Sequence, residues 1–250
     1  MKTFQGWMNG EDGEPVEVAK SNVALVVIDM QNGFCREEYN LGLSPTVEPF
    51  ANAIPGCQAL VDGARKSGVP VIFTRNMRLN GCVDAPPPRG RSLKLNLPAA
   101  VPLVLAPGRV EGEIIEELAP LPDEWVIDKS RPGAFFGTRL EPLLLGLGVR
   151  ALVLCGVTTN ICVESTAREA HARNYDTYVI ADATGEAEVS RYWHALYTVE
   201  FTLGTVAMVE DVQRSWGVPV TGVPDFPLQR NHTRPTRVDL PIDESEKQNV

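Results

Sequence analysis

The sequence predicts an α/β fold, a three-layer α-β-α arrangement around a mainly parallel central sheet. Two observations predict it. Short apolar runs of four to six residues recur along the chain, too short for helices and bounded by glycine, proline or a charged residue. Segments with helical spacing alternate with those runs, and that alternation is the pattern of βαβ units, whose sheet is covered on both faces.

In chain order, residues 1–20 are polar and irregular and predict an N-terminal arm ahead of one compact domain at 21–216. Val23–Ile28 is a continuous apolar run ending at Asp29, a buried strand. Residues 51–66 predict a helix stopped by Gly68, with a second strand at Val69–Phe73. Prolines and glycines, including Pro86–Pro88, make 78–108 a long loop. Residues 111–118 predict a short helix, Trp125–Asp128 a strand ending at Lys129, 138–147 a leucine-rich helix and 151–155 a strand. From Ile161 to 173 the helical period returns, with Thr159 or Asn160 placed as its cap. Thr177–Ala181 predicts a strand ending at Asp182, 188–201 a helix and Thr205–Met208 a last strand. The stretch 217–250 is a proline-rich, charged C-terminal tail, expected to wrap a neighbour or fray.

A chain of 250 residues with 44% hydrophobic content can bury a full core. Its formal charge of −9 argues against nucleic acid or an anionic membrane as partner. No apolar run approaches the roughly 20 residues that span a bilayer, and the N-terminus has no apolar signal segment. The five cysteines are odd in number and lack paired spacing, which suits a reducing cytoplasm.

Functional crevices of such sheets lie beyond the carboxyl ends of the strands. Asp29, Lys129 and Cys162 each follow a predicted strand end and are therefore expected to meet at one rim. A cysteine at a strand-to-helix turn sits at the positive end of a helix, which lowers thiol pKa and offers free N–H groups to an oxyanion. Histidine, the usual base, is scarce. His171 lies nine residues beyond Cys162 on the same predicted helix, about 13 Å away at roughly 1.5 Å per residue. Asp29 can take the thiol proton and return it to a leaving amine, with Lys129 to hold it ionised.

Three segments carry a resemblance. They are Val26–Phe34 around Asp29, Asp128–Thr138 around Lys129, and Gly156–Ala167 around Cys162. In this order and context the chain resembles the isochorismatase-like cysteine hydrolases over roughly residues 22–210. The resemblance implies a catalytic triad of Asp29, Lys129 and Cys162, and a cis Val157–Thr158 peptide. It also implies an oxyanion hole from the Thr158 and Cys162 amides. Relatives that cleave the vinyl ether of isochorismate lack the cysteine, so its presence implies C–N hydrolysis. Nicotinamidase-like relatives hold a metal with histidines after the second strand. Residues 73–80 contain none, which implies no metal and no cofactor. What remains resembles the metal-free group acting on ureido and carbamoyl compounds, such as N-carbamoylsarcosine, ureidoacrylate or biuret. Simple amides, esters and C–O bonds are rivals on the same triad, and a non-catalytic binding protein is the rival from another class. The likeness also implies a homo-oligomer, a dimer or tetramer.

Beside the triad, Phe34, Phe135 and Phe136 flank the expected rim, either as an apolar wall for a small substrate or as ordinary core. Asn32 and Asn160 are placed either to donate to a substrate carbonyl or to stabilise turns. Arg75, Asn76 and Arg78 follow the second strand and read more readily as a solvated loop than as a carboxylate site. Glu200 is expected to face solvent and Asp182 to cap or brace. Cys155 and Cys57 fall in a strand and a helix, Cys82 in a loop, and Cys35 six residues past Asp29 is a minor candidate for the pocket.

Overall fold

The computed structural model describes residues 16–79 and 105–222. Six strands form one sheet: β1 (Val23–Ile28), β2 (Val71–Asn76), β3 (Trp125–Lys129), β4 (Ala151–Val157), β5 (Asp176–Gly185) and β6 (Thr205–Ala207). Their order is β3-β2-β1-β4-β5-β6, and every neighbouring pair is parallel. The strand order reverses between β1 and β4, the topological switch point at which open α/β sheets bind ligands.

β1 is buried along its whole length because both sheet faces are covered. Val23, Leu25 and Val27 enter one apolar layer, and Ala24, Val26 and Ile28 enter the other. That period-2 division is why the run reads as continuously apolar. The first layer packs α1 (Ile54–Ser67) and a terminal helix against the sheet. The second packs α2 (Leu140–Gly146), α3 (Glu164–His171) and α4 (Val189–Thr198) on the opposite face. Gly68 ends α1 at φ +73°, as its position predicts.

Several elements differ from the sequence expectation for identifiable reasons. β2 begins at Val71 rather than Val69, because Pro70 has no N–H to give to a ladder and contributes only its carbonyl, to the Leu25 N–H at 2.9 Å. The helix expected at 111–118 is two 3₁₀ turns, Val110–Gly112 and Glu116–Leu118. Between them Ile114 pairs with Gln31 and the Ile115 N–H bonds to Met30 O at 3.0 Å, so that backbone serves the strand-end chain instead of a helix. The helix expected at 188–201 ends at Thr198 and continues as a π-helical turn, Val199–Leu203. Glu200 is not simply solvated: its Oε2 accepts the Val206 N–H at 2.7 Å and anchors the start of β6. A further helix, α5 (Val209–Ser215), was not anticipated. Val18, from the stretch read as an arm, is buried, and its N–H bonds to Ser215 Oγ at 3.0 Å. Residues 80–104, with Cys82 and Pro86–Pro88, and the tail from 223 onward lie outside the described residues.

Candidate active site

β1 and β4 pair from Val23↔Ala151 to Ile28↔Gly156, so the chain leaving each strand emerges at the same rim. Asp29 leaves β1, Lys129 closes β3 and the Cys162 turn follows β4, and the structure brings all three together. Lys129 Nζ lies 2.6 Å from Asp29 Oδ2, with neither side chain exposed. Cys162 lies within the electrostatic reach of both groups and is 5% exposed. Gly156 makes the close approach possible. Its φ of +108° lies in the left-handed region, and a Cβ there would fall 2.1 Å from Ile28 O.

Asp29 itself has φ +52°, a conformation few non-glycine residues adopt. Thr74, at the matching position of β2, holds it there. The Asp29 N–H faces Thr74 O at 3.2 Å and Thr74 Oγ1 at 3.3 Å, and the Thr74 hydroxyl donates to Asp29 Oδ1 at 2.7 Å. Both carboxylate oxygens are thus addressed, one by a hydroxyl and one by an ammonium. Sequence reasoning missed Thr74; the available signal was a hydroxyl residue following the apolar run Val71–Phe73.

Burial pulls the Lys129 ammonium down, but the charges of Asp29 and Cys162 and their hydrogen bonds more than offset it, so Lys129 is held above its ordinary range. The Cys162 thiol is pushed up to about 12, chiefly by burial; Lys129 opposes that and Asp29 adds to it. The expected helix-end lowering of the thiol pKa is therefore outweighed. The resting site holds a neutral thiol beside an ion pair, and forming the nucleophile requires proton transfer to a neighbour.

The turn carrying Cys162 is π-helical, Thr159–Val163, leading into α3. Neither Thr159 nor Asn160 caps it through a side chain. Instead the N–H groups of Ile161, Cys162 and Val163 converge on Thr158 O at 3.2, 3.0 and 3.1 Å. One carbonyl has two lone pairs, so these three bonds share it. The Val157–Thr158 peptide is cis. Thr166 Oγ1 donates to Cys162 O at 2.7 Å and accepts the Ala134 N–H at 3.2 Å, tying this turn to the loop after β3.

The other candidates separate clearly. Phe34 packs edge-on against Phe50, with centroids 6.4 Å apart, and Phe135 packs on Tyr175 at 5.8 Å beneath the Arg173 guanidinium. Both rings are buried at 4% exposure. Phe136 is 65% exposed. Asn32 Nδ2 donates to Val110 O at 2.9 Å, a loop tether. Asn160 lines a 240 Å³ surface cavity with Glu164, Ser190, Arg191 and His194, and its Oδ1 is buried without a hydrogen bond. Arg75 is paired with Asp128 and Glu113, and Arg78 Nη1 donates to Ser130 O. Asp182 braces the fold, its Oδ1 accepting the Val209 N–H at 2.8 Å at the start of α5. Cys35 belongs to the opposite apolar layer, with its thiol pushed up to about 12 by burial. Cys57 and Cys155 are core residues of that same layer. His171 closes α3 at the end away from Cys162. No described helix is long and apolar enough to cross a membrane.

Comparison with known proteins places the chain in a family. Residues 23–211 match the Isochorismatase domain family. Ureidoacrylate amidohydrolase RutB of Stutzerimonas stutzeri (strain A1501) is 34% identical, the alignment covering 79% of this chain and 84% of that protein. The protein of the same name from Azorhizobium caulinodans is 32% identical over 81% of this chain and 94% of its own length. Among solved structures, a cysteine hydrolase from Pseudomonas syringae pv. phaseolicola 1448A superposes with a TM-score of 0.69 at 26% identity, covering 82% of this chain and 98% of that one. N-carbamoylsarcosine amidase from Thermoplasma acidophilum, at 24% identity and a TM-score of 0.60 over 75% and 96% of the two chains, shares the fold. With its match spanning most of the sequence, this chain belongs to the isochorismatase domain family.

Proposed function

We propose that this protein hydrolyses the C–N bond of a small ureido or carbamoyl compound, with Cys162 as nucleophile. The observation that carries the proposal is the buried Lys129–Asp29 ion pair at 2.6 Å, with the buried Cys162 thiol close enough to feel both charges. A buried ion pair is an expensive arrangement and a poor source of stability, so a chemical role is the economical account of it. The names of the 32–34% identical relatives support the ureido class.

In this mechanism Asp29 takes the thiol proton as Cys162 Sγ attacks the substrate carbonyl carbon. The nearby Lys129 charge stabilises the anion that forms. The N–H groups of Thr158 and Cys162 receive the developing oxyanion. Collapse breaks the C–N bond, and the proton on Asp29 goes to the departing nitrogen, releasing ammonia or an amine. Water then attacks the thiocarbamate or thioester carbonyl with Asp29 as base, regenerating the thiol and releasing the acid product. No cofactor or metal enters these steps.

Cytoplasmic placement and homo-oligomeric assembly, as a dimer or tetramer, belong to the same proposal. The unpaired state of Cys35, Cys57, Cys155 and Cys162 supports the first. The exposed rings of Phe136 and Phe201 support the second, and light scattering on the purified protein tests it.

Ammonia release from a panel of ureido compounds, carbamoyl amino acids, primary amides and esters tests the substrate class. Release is expected from the ureido and carbamoyl members. Turnover confined to esters would overturn the amidohydrolase proposal.

A further inference from the structure

Four buried side-chain oxygens that make no hydrogen bond fall on two adjacent segments at the catalytic rim. They are Thr158 Oγ1, Thr159 Oγ1, Asn160 Oδ1 and Glu186 Oε2. Buried polar atoms are nearly always paired, so such a concentration marks a place where a ligand completes the bonding. The two segments are neighbours. Gly185, the last residue of β5, pairs with Val157, the last of β4, so Glu186 leaves the sheet beside Thr158. Arg191, which holds Glu186, lines the same cavity as Asn160.

We infer that this cluster is the recognition site for the N–H groups of the substrate, with Glu186 as its specificity-determining acceptor. Glu186 is 7% exposed, and only its Oε1 is engaged, by Arg191 at 2.8 Å and the Ala187 N–H at 2.9 Å. The Arg191 contact balances the carboxylate charge and fixes its orientation, leaving Oε2 as an anionic acceptor. The Thr and Asn oxygens are acceptors too, two of them able to donate. A donor-rich group satisfies such a set. A ureido –NH–CO–NH₂ presents three N–H bonds around the carbonyl that Cys162 attacks, whereas an ester presents none and leaves the acceptors unpaired. Sites built to hydrogen-bond a substrate reject analogues lacking the donors for that reason.

This inference rests on the ureido proposal above, and its test does not depend on turnover. In the Cys162→Ala background, binding of 3-ureidopropionate is measured by calorimetry against 5-oxohexanoate, the ketone in which both nitrogens become carbon. The background protein should prefer the ureido compound by tenfold or more. Adding Glu186→Gln should remove most of that preference while the ketone affinity and thermal midpoint stay within twofold and 2–3 °C. Thr159→Val, which leaves the Glu186–Arg191 pair intact, should lower ureido affinity alone by a smaller factor of two to five. Equal affinity for the two probes in the background protein, or an equal change for both on Glu186→Gln, would overturn the assignment. Failure of the amidohydrolase proposal is read separately, as absence of Cys162-dependent ammonia release.

Discussion

The hydroxyl of Thr74 donates to Asp29 Oδ1 at 2.7 Å while Lys129 Nζ lies 2.6 Å from Oδ2, so the carboxylate is fixed in rotation from both sides. Thr74 is 1% exposed, and its bond has no water to replace it. Thr74→Val keeps the shape and removes the donor. A hydrogen bond to a charged group is worth about 1.5–3 kcal/mol, so kcat/KM should fall by roughly 10–100-fold. Thr74→Ser should recover most of it. Near-wild-type activity in the Val variant with loss in the Ser variant would indicate that only the methyl packing matters.

The neutral resting thiol has its own signature. With burial pushing Cys162 up to about 12, its alkylation by iodoacetamide should keep accelerating with pH through about pH 10. Cys162→Ala supplies the blank for the other thiols. A plateau below about pH 7 would mean a preformed thiolate and would contradict the described electrostatics.

The contrast between these two residues and their sequence signals explains what was legible in advance. Buried parallel strands such as β1 and β4 are apolar on both faces, so their runs and end residues stand out, and the meeting of Asp29, Lys129 and Cys162 follows from strand polarity alone. Desolvation is a property of the assembled site, so the raised thiol could not be read from a local helix-end pattern. Phe34 and Phe135 were near the rim in sequence, but the rings they pack on, Phe50 and Tyr175, come from distant segments. The π-helical turn depends on three N–H groups sharing Thr158 O, and α5 starts where Asp182 and Asp211 bond the Val209 and Met208 N–H groups. The apolar run of β5 ends at Ala181 in sequence, so Asp182 takes the strand-end signal; β5 continues to Gly185, and only the structure puts Glu186 at its end.

Gly156 is required by the contact that sets β4 against β1. A Cβ at Gly156 would meet Ile28 O at 2.1 Å with φ at +108°, so Gly156→Ala should cost about 3 kcal/mol or more and lower activity by moving Asp29. At Gly146, in α2, a Cβ meets nothing within 4 Å, and Gly146→Ala should be neutral or stabilising by up to about 1 kcal/mol. Urea unfolding of the two variants checks the pair; equal midpoints would contradict the close approach.

Asp182 makes stability pH-dependent. Burial pushes its carboxyl up to about 7, with Asp211 and Glu210 adding repulsion and the Val209 N–H opposing. Its folded-state pKa is raised, so the stability its protonated form gives is complete below the ordinary aspartate range and is lost as pH rises through about 7. Asp182→Asn keeps an acceptor for Val209 and cannot ionise. The variant should therefore match wild type near about pH 4 and melt higher than wild type near about pH 8.5. A difference in melting temperature that stays constant across that range would contradict the assignment.

The most direct test of the central claim is steady-state ammonia release from the best ureido or carbamoyl substrate by wild type and Cys162→Ala. Cysteine attack predicts a loss in kcat of roughly 10³-fold or more, with the variant still folded and still binding substrate. Near-normal turnover by Cys162→Ala would contradict nucleophilic catalysis at this site.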